Sequence, residues 1–287
     1  MSLMQEHLDP RIHPYRGDLA SSSLRGRVAS NRFVVGEEKR LVSAISPLRR
    51  QPSPSSERVS ELLYGESFIV YEEKDGWAWG QAGGDGYVGY VGLSNLGKPS
   101  VPTHIVKTPL AILFEEPDLK APRFDVFPMG ARLSVQGFDG DYAQVLEGKY
   151  ISICHLASLE SIESDYVLTA EKFLNAPYLW GGRTALGIDC SGLVQTALQR
   201  SGRFVPRDTD MLEQSGMLVP GHDSSILERG DVLFWKGHCA LVLDQDYLIH
   251  ANTKNMGVAI TPLVETVERY KSLLGLQICS VRRFPDD

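Results

Sequence analysis

Hydrophobic and polar positions change their spacing twice along the 287-residue chain. From Met1 to about Gly36 the sequence is polar and has neither a period of two nor one of 3.6. It predicts an amino-terminal arm, residues 1–36, that packs loosely on the body of the protein. From there to about residue 160, short β-prone runs alternate with Gly, Pro, Ser and Asp-Gly turn signals.

The β-prone part divides into two segments, residues 37–99 and 100–160, that follow one plan. The run from Gly65 to Val70 precedes an Asp-Gly turn, and the run from Gly130 to Val135 does the same. Several short strands in about 60 residues are typical of a small barrel. We therefore expect two divergent copies of one small all-β barrel.

From Asp165 the spacing lengthens, and residues 161–287 are expected to form one further domain. Apolar residues lie at helical spacing from Val167 to Leu174, and again from Leu193 to Leu198, where Gly202 ends the pattern. After Gly230 the pattern predicts strands over residues 232–235, 239–243, 247–250, 258–260 and 277–281. Helices followed by a run of strands indicate an α+β fold.

Composition narrows the class of protein. The chain is 43% hydrophobic and 23% charged, and it has no apolar run of about 18 residues, so we expect no membrane-spanning segment. The formal charge of -7 is spread along the chain, so nucleic acid is not an expected partner. Four cysteines without CxxC spacing favour a reducing compartment. The amino terminus has no cationic patch before an apolar run, so we expect a cytoplasmic protein.

One cysteine has a sequence context that suits catalysis. Cys190 follows a Gly-rich segment and opens the helix that contains Leu193 and Val194. The unpaired N–H groups and the positive end of the helix dipole stabilise a thiolate there. Cys154, Cys239 and Cys279 each lie in an apolar run expected to be a strand, and we interpret them as inert.

Two histidines are candidates for the base that a thiolate needs. His238 opens the predicted strand that ends at Leu243, and His250 closes the next strand after the Asp244-Gln245-Asp246 turn. Because the two strands would form a hairpin, its open end would bring the two imidazoles together. One imidazole could then face the sulfur while the other orients it.

Four motifs in this order resemble the NlpC/P60 family of papain-like cysteine peptidases, which cut bacterial cell-wall peptides. They are Asp189-Cys190-Ser191-Gly192, Gly230-Asp231-Val232-Leu233-Phe234, His238-Cys239-Ala240-Leu241-Val242 and Leu248-Ile249-His250-Ala251. The two β segments resemble bacterial SH3 domains, the first through its run from Gly86 to Val91. Together the segments resemble the γ-D-glutamyl-L-diamino acid endopeptidases of the YkfC type. The resemblance implies a papain-like domain preceded by two SH3-like barrels.

The resemblance also implies a role for each motif residue. Cys190 is the expected nucleophile, His238 the general base and acid, and His250 the residue that orients His238. Tyr178 would stabilise the oxyanion with the Cys190 N–H group. Further residues expected at the peptide site are Ser191, Arg207, Asp208 and Thr209, the last in place of the family's serine.

The same resemblance implies a substrate. Asp189 and Tyr87 would hold the free α-ammonium of an amino-terminal L-Ala, with the first SH3 module walling off the site. The cut would then fall between γ-D-Glu and the diamino acid, in a peptide such as L-Ala-γ-D-Glu-diaminopimelate, during recycling of cell-wall peptides. An alternative role for Asp189 is to cap the Cys190 helix, and Tyr87 would then be barrel surface.

The sequence also bears on other classes of function. A zinc site would need a third or fourth ligand at compatible spacing, and residues 180–183 lack the Lys-Ser/Thr of a phosphate loop, so no metal or cofactor is expected. A non-catalytic binder of cell-wall peptides and an acyltransferase on the same fold stay open. The sequence leaves undecided whether the diamino residue is diaminopimelate or lysine, and what the oligomeric state is.

Overall fold

The computed structural model describes residues 8–145, 148–221 and 225–285. Residues 1–7 of the predicted arm lie outside the described residues. The chain forms two compact units, unit 1 over residues 1–159 and unit 2 over residues 160–287.

The first β segment of unit 1 forms a seven-stranded sheet. In chain order its strands are β3 (Glu37–Leu41), β4 (Ile45–Arg49), β5 (Arg58–Leu63), β6 (Ser67–Lys74), β7 (Trp77–Ala82), β8 (Val88–Gly92) and β9 (Leu96–Gly97). They pair antiparallel in the order β5-β4-β8-β7-β6-β3-β9. Since β5 and β9 are edges without a mutual ladder in the described chain, the hydrogen-bonded sheet is open, and the small barrel that we expected is not confirmed by a closed ring of strands.

The second β segment repeats this pairing. Its strands are β10 (His104–Val106), β11 (Leu110–Phe114), β12 (Arg123–Pro128), β13 (Arg132–Leu133), β14 (Gly137–Asp139), β15 (Tyr142–Val145), β16 (Lys149–Ser152) and β17 (Leu156–Ser158). They form one sheet of order β13-β10-β17 and one of order β12-β11-β16-β15-β14. In chain order β10, β11 and β12 correspond to β3, β4 and β5, β13 and β14 together correspond to β6, and β15, β16 and β17 correspond to β7, β8 and β9. With this correspondence, every strand has the same neighbours as in the first segment.

The two segments share a packed junction. The ring of Tyr64 stacks on Phe127 at 4.5 Å between centroids, and Tyr64 belongs to the hydrophobic cluster of the second segment. The next residue, Gly65, has a φ of +77°, and a Cβ there would lie 2.1 Å from the Arg132 carbonyl oxygen. Glycine is therefore required where the two backbones approach.

The described part of the arm is packed onto the first sheet, so the expectation of loose packing is wrong. Strands β1 (Ala20–Ser21) and β2 (Phe33–Val34) pair in parallel. Leu19 is fully buried. The Arg16 guanidinium lies 4.3 Å from the centre of the Trp79 ring and donates to Glu72 at 2.6 Å. Burial of apolar side chains and a paired arginine give the arm a fixed position.

Unit 2 combines helices with an antiparallel sheet. Its helices are α1 (Tyr166–Glu171), α2 (Cys190–Arg200), α3 (Thr209–Leu212) and α4 (Leu263–Leu274). Its strands are β18 (Arg183–Thr184), β19 (Gly187–Ile188), β20 (Met217–Leu218), β21 (Val232–Trp235), β22 (His238–Val242), β23 (Tyr247–Asn252), β24 (Gly257–Pro262) and β25 (Ser280–Arg283). The main sheet has the order β20-β25-β21-β22-β23-β24, and β18 pairs with β19.

The α+β prediction for unit 2 is confirmed, with corrections at its end. Helix α4 lies within the part expected to contain only strands. The last strand begins at Ser280, so residues 277–279 are not part of it. Cys154 and Cys279 are exposed and lie outside strands, whereas Cys239 is buried in β22 as expected. Among the helices of the described residues, none combines the length with the hydrophobicity that a membrane span needs.

Candidate active site

Helix α2 places Cys190 at its first position. Asp189 is the N-cap residue, and its Oδ1 accepts a hydrogen bond of 2.7 Å from the Gly192 N–H group. A Cβ on Gly192 would lie 2.3 Å from the Gly182 carbonyl oxygen, so the glycine lets the preceding loop close on the helix end. Apolar positions Leu193, Val194 and Ala197 are fully buried along the helix. The helix is thereby fixed with its positive end at the sulfur.

A buried ion pair lies beneath this helix end. Arg207 donates to Asp189 Oδ2 at 2.7 Å, and both side chains are at least nine-tenths buried. Arg207 also donates to Ser191 Oγ at 2.8 Å and to the Gly182 carbonyl at 3.2 Å. The carboxylate charge of Asp189 opposes a thiolate at Cys190, and Arg207 offsets that charge.

Neighbouring strands bring the two histidines together. The register of β22 and β23 pairs Leu241 with Ile249, which sets His250 diagonally across from His238 on one face of the sheet. His238 Nε2 lies 2.9 Å from His250 Nδ1. Both imidazoles are buried, at 9% and 3% exposure. The expected hairpin and the expected contact are both present.

The environment of Cys190 favours the thiolate. A hydrogen bond from the Cys239 thiol is the largest cause that holds the pKa of Cys190 well below its ordinary value; burial opposes it, and the hydrogen bond and charge of His238 lower it further. Burial raises the pKa of Cys239 well above its ordinary value, so this thiol keeps its proton and can donate it. Cys239 is thus in contact with the candidate nucleophile, which its place in an apolar strand did not indicate.

His250 is held neutral. Burial is the larger cause, and the charge of His238 the second, that lower the pKa of His250 from 6.5 to about 3. A neutral imidazole can accept a hydrogen bond at Nδ1 from an imidazolium on His238. This is the arrangement that a residue orienting His238 requires.

An aromatic side chain that sequence reasoning missed covers His238. Tyr270, on α4, stacks on the imidazole with 5.1 Å between centroids and 23° between planes. Trp235 packs on Tyr270 at 5.0 Å. The spacing of Leu263, Val267, Tyr270 and Leu274, followed by Gly275, was the available signal for this helix.

The remaining predicted residues belong to several different elements of the chain. Tyr178 is half-buried and bridges to Ile188, directly before Asp189, and burial together with the Cys190 charge raises its pKa, so its hydroxyl stays protonated. Thr209 is the first residue of α3, and Asp208 precedes it, both half-buried. Tyr87, which directly precedes β8 in unit 1, is 2% exposed, so the alternative that makes it a surface residue is wrong.

A cysteine at a helix amino terminus, with a histidine from the adjoining sheet and a second polar residue orienting that histidine, defines the papain-like class of cysteine hydrolases. Residues 175–274 match the model of the NlpC/P60 family, and residues 48–96 match that of the bacterial dipeptidyl-peptidase SH3 domain. The chain therefore contains an NlpC/P60 cysteine peptidase domain together with a bacterial SH3 domain.

Known proteins similar to this chain extend over most of its length. Dipeptidyl-peptidase 6 of Lysinibacillus sphaericus is 25% identical over 84% of this chain and 97% of its own. The gamma-D-glutamyl-L-lysine dipeptidyl-peptidase of Bacillus subtilis is 25% identical over 78% of this chain and 80% of its own. The crystal structure of an NlpC/P60 family protein from Bacillus cereus superposes with a TM-score of 0.72 at 19% identity, covering 86% of this chain and 99% of that one. This last likeness concerns the fold.

In the described residues, no group of three or more His, Cys, Asp or Glu side chains is placed to hold a metal ion. The Cys190 and His238 side chains face each other and are engaged in the hydrogen bonds given above.

Proposed function

We propose that this protein hydrolyses the amide bond between γ-D-Glu and the diamino acid in short cell-wall peptides with a free amino-terminal L-Ala. The observation that carries the proposal is the buried group of Cys190, His238 and His250. The Cys190 sulfur is hydrogen-bonded to the His238 imidazole, and His238 Nε2 lies 2.9 Å from His250 Nδ1. The bond specificity is inferred from the similarity to the gamma-D-glutamyl-L-lysine dipeptidyl-peptidase of Bacillus subtilis.

The proposed reaction uses these groups in two steps. The Cys190 thiolate attacks the γ-carbonyl carbon of D-Glu, and His238 protonates the leaving amine as the C–N bond breaks, which leaves a thioester. His238 then takes a proton from water, the hydroxide attacks the thioester, and Cys190 leaves as the thiolate. The protonated Tyr178 hydroxyl and the Cys190 N–H group are proposed to donate to the oxyanion in both steps.

Recognition of the substrate amine is proposed for Asp189 and Tyr87. Asp189 already accepts from Gly181 at 2.7 Å, Gly192 at 2.7 Å and Arg207 at 2.7 Å. An ammonium group would therefore share this carboxylate with Arg207. Ser191 and Arg207 are proposed to act beneath the site through that pair, and Asp208 and Thr209 to line the peptide.

Two further assignments belong to the proposal. The repeated strand pairing of residues 100–160 supports a second SH3-like module, so that the domains would be residues 1–36, 37–99, 100–160 and 161–287. All four cysteines are free, and Cys154 and Cys279 are exposed, which is typical of a reducing compartment. We therefore propose a cytoplasmic role in recycling small cell-wall peptides.

The test is mass spectrometry of products from L-Ala-γ-D-Glu-diaminopimelate and from L-Ala-γ-D-Glu-L-Lys, with and without an added amine. We expect release of the dipeptide L-Ala-D-Glu and the free diamino acid, with the Cys190→Ala variant as the inactive control. Transfer of the dipeptide to the added amine would indicate an acyltransferase. Binding without turnover would contradict the proposal and indicate a peptide-binding protein.

A further inference from the structure

Hydrogen bonds continue from the histidine pair into two threonines that no motif contains. His250 Nε2 lies 3.1 Å from Thr261 Oγ1, at the end of β24. The Thr266 hydroxyl, one turn into α4, donates to Thr261 Oγ1 at 2.9 Å. Thr266 is 6% exposed and His250 is 3% exposed. Four side chains thus form one chain of hydrogen bonds from His238 to Thr266 on α4.

The direction of these bonds follows from the chemistry at Cys190. When His238 carries the proton of Cys190, both of its ring nitrogens hold a hydrogen, so Nε2 must donate to His250 Nδ1. A neutral His250 then carries its own hydrogen on Nε2 and donates it to Thr261 Oγ1. Since Thr261 also accepts from Thr266, its oxygen is fixed from the helix side.

The same tautomer serves every step of the proposed reaction. After His238 has protonated the leaving amine, it keeps its Nε2 hydrogen bonded to His250 and presents a free Nδ1 lone pair to water. His250 must therefore remain an acceptor at Nδ1 throughout. A rotated ring, or a hydrogen on Nδ1, would break its bond to His238.

We propose that Thr261, which accepts a hydrogen bond from Thr266, is a positioning residue that fixes the ring orientation and the tautomer of His250. The inference rests on the proposed function for its effect on catalysis, whereas its effect on the tautomer of His250 can be measured without substrate. A cavity of about 510 Å³ borders His250, Thr261, Thr266 and Tyr270. Its presence explains why the ring needs a fixed partner on that side, because water could otherwise compete for Nε2.

A purely structural role would be to satisfy the half-buried hydroxyl of Thr261, and the experiment separates the two roles. Thr261→Val removes the hydroxyl and keeps the shape of the side chain, and Thr261→Ser keeps the hydroxyl. Thr169→Val is a matched control, because Thr169 is fully buried in α1 and its hydroxyl has no hydrogen-bond partner in the described residues. Thr266→Val removes only the hydrogen bond from Thr266 to Thr261, and this variant replaces Thr261→Val in the experiment if Thr261→Val does not fold.

The substrate-free readout is the ring ¹⁵N spectrum of histidine-labelled protein, with the His250 signals assigned by their loss in His250→Gln. We expect the wild type, Thr261→Ser and Thr169→Val to show His250 with its hydrogen on Nε2. Thr261→Val should show both tautomers, and Thr266→Val a smaller change in the same direction. An unchanged His250 spectrum in Thr261→Val would overturn the inference.

The kinetic readout uses the proposed peptide. Loss of one hydrogen bond should lower the kcat of Thr261→Val by about tenfold with little change in KM, and Thr261→Ser should retain most of the activity. An equal loss in Thr261→Ser or in Thr169→Val would overturn the inference. If the wild type cut no peptide, the proposed function would fail while the spectra still decided the role of Thr261.

Discussion

At the scale of single residues, the site depends on which atom holds each proton. The pKa of Cys190 is lowered because Cys239 and His238 both stabilise the sulfur anion, and the pKa of His250 is lowered to about 3 by burial and, to a smaller extent, by the charge of His238. Burial keeps His250 neutral and therefore able to accept a hydrogen bond, and the same burial destabilises the folded protein in acid, where the imidazole would otherwise bind a proton. Reactivity and acid stability of unit 2 are therefore linked through one histidine.

Cys190, His238 and His250 should contribute unequally to turnover. Cys190→Ala should abolish hydrolysis, because the neighbouring Cys239 thiol has a pKa raised well above its ordinary value and stays protonated, so it cannot replace the nucleophile that forms the thioester. His238→Ala should be nearly as damaging, and His250→Ala less so, since it orients the base and does not itself transfer protons. Steady-state kinetics on purified variants, with folding checked by circular dichroism, measures the order. The reverse order for the histidines would exchange their roles.

Acid should destabilise the wild type through His250. The unfolded chain binds a proton on this residue below pH 6.5, whereas the folded chain does so only near pH 3, so stability falls as the pH drops between these values. Between pH 6.5 and 4 the loss amounts to roughly 3 kcal/mol in the free energy of unfolding. Urea unfolding of the wild type and of His250→Gln checks this. Parallel pH profiles for the two proteins would contradict it.

At the scale of elements, the amino-terminal end of α2 is held by a charge pair that no local pattern indicates. Arg207 and Asp189 are 18 residues apart and meet in the interior. Arg207→Met would leave the Asp189 carboxylate buried without its cation, at a cost of about 3–5 kcal/mol. Arg229→Met is the matched control, because its pair with Asp165 is partly exposed and should contribute less than about 1 kcal/mol.

Thermal unfolding of the two variants checks this difference. A larger loss of stability in Arg229→Met than in Arg207→Met would show that the buried pair does not hold the helix end. An alkylation rate of Cys190 that falls in Arg207→Met and not in Arg229→Met would connect the pair to the reactivity of the thiolate.

The same elements show what a sequence can predict. Helix α2 and strands β21 to β23 have dense local signals. These are a helical period after a Gly-rich loop, a Gly-Asp turn, and a hairpin with a histidine on each strand near its open end. Helix α4 has two buried residues, Leu263 and Thr266, so its apolar stripe is thin, and it was missed. The contacts of Tyr270 with His238 and of Arg207 with Asp189 depend on packing between distant segments, which the spacing of residues does not encode.

At the scale of the whole molecule, the chain repeats one pattern of strand pairing in unit 1 and joins it to a peptidase domain in unit 2. The repetition was visible in sequence as two turn-separated β segments. The packing of the arm was not visible, since its buried Leu19, Ala20 and Leu24 are few and show no regular spacing. Isolated apolar residues have no period, and only the partner surface decides whether they are buried.

Recognition of a free amino terminus would make the protein act on peptides whose L-Ala amine is free and spare those whose amine is blocked. Acetylation of the amine in L-Ala-γ-D-Glu-diaminopimelate removes its positive charge and leaves the scissile bond unchanged. If Asp189 and Tyr87 bind the ammonium, the acetylated peptide should lose most of its kcat/KM, because a charge-assisted hydrogen bond is among the strongest contacts available to a small ligand.

Tyr87 allows a separate test of this amine recognition. Tyr87→Phe keeps the ring of this buried residue and removes only the hydroxyl, and we expect cleavage of the free peptide to weaken in a variant whose folding is checked by circular dichroism. Cleavage of the acetylated peptide should be unaffected by the same change, since that peptide has no ammonium to lose. Equal kcat/KM for the free and acetylated peptides in the wild type would refute amine recognition and would leave a cysteine peptidase of broader specificity.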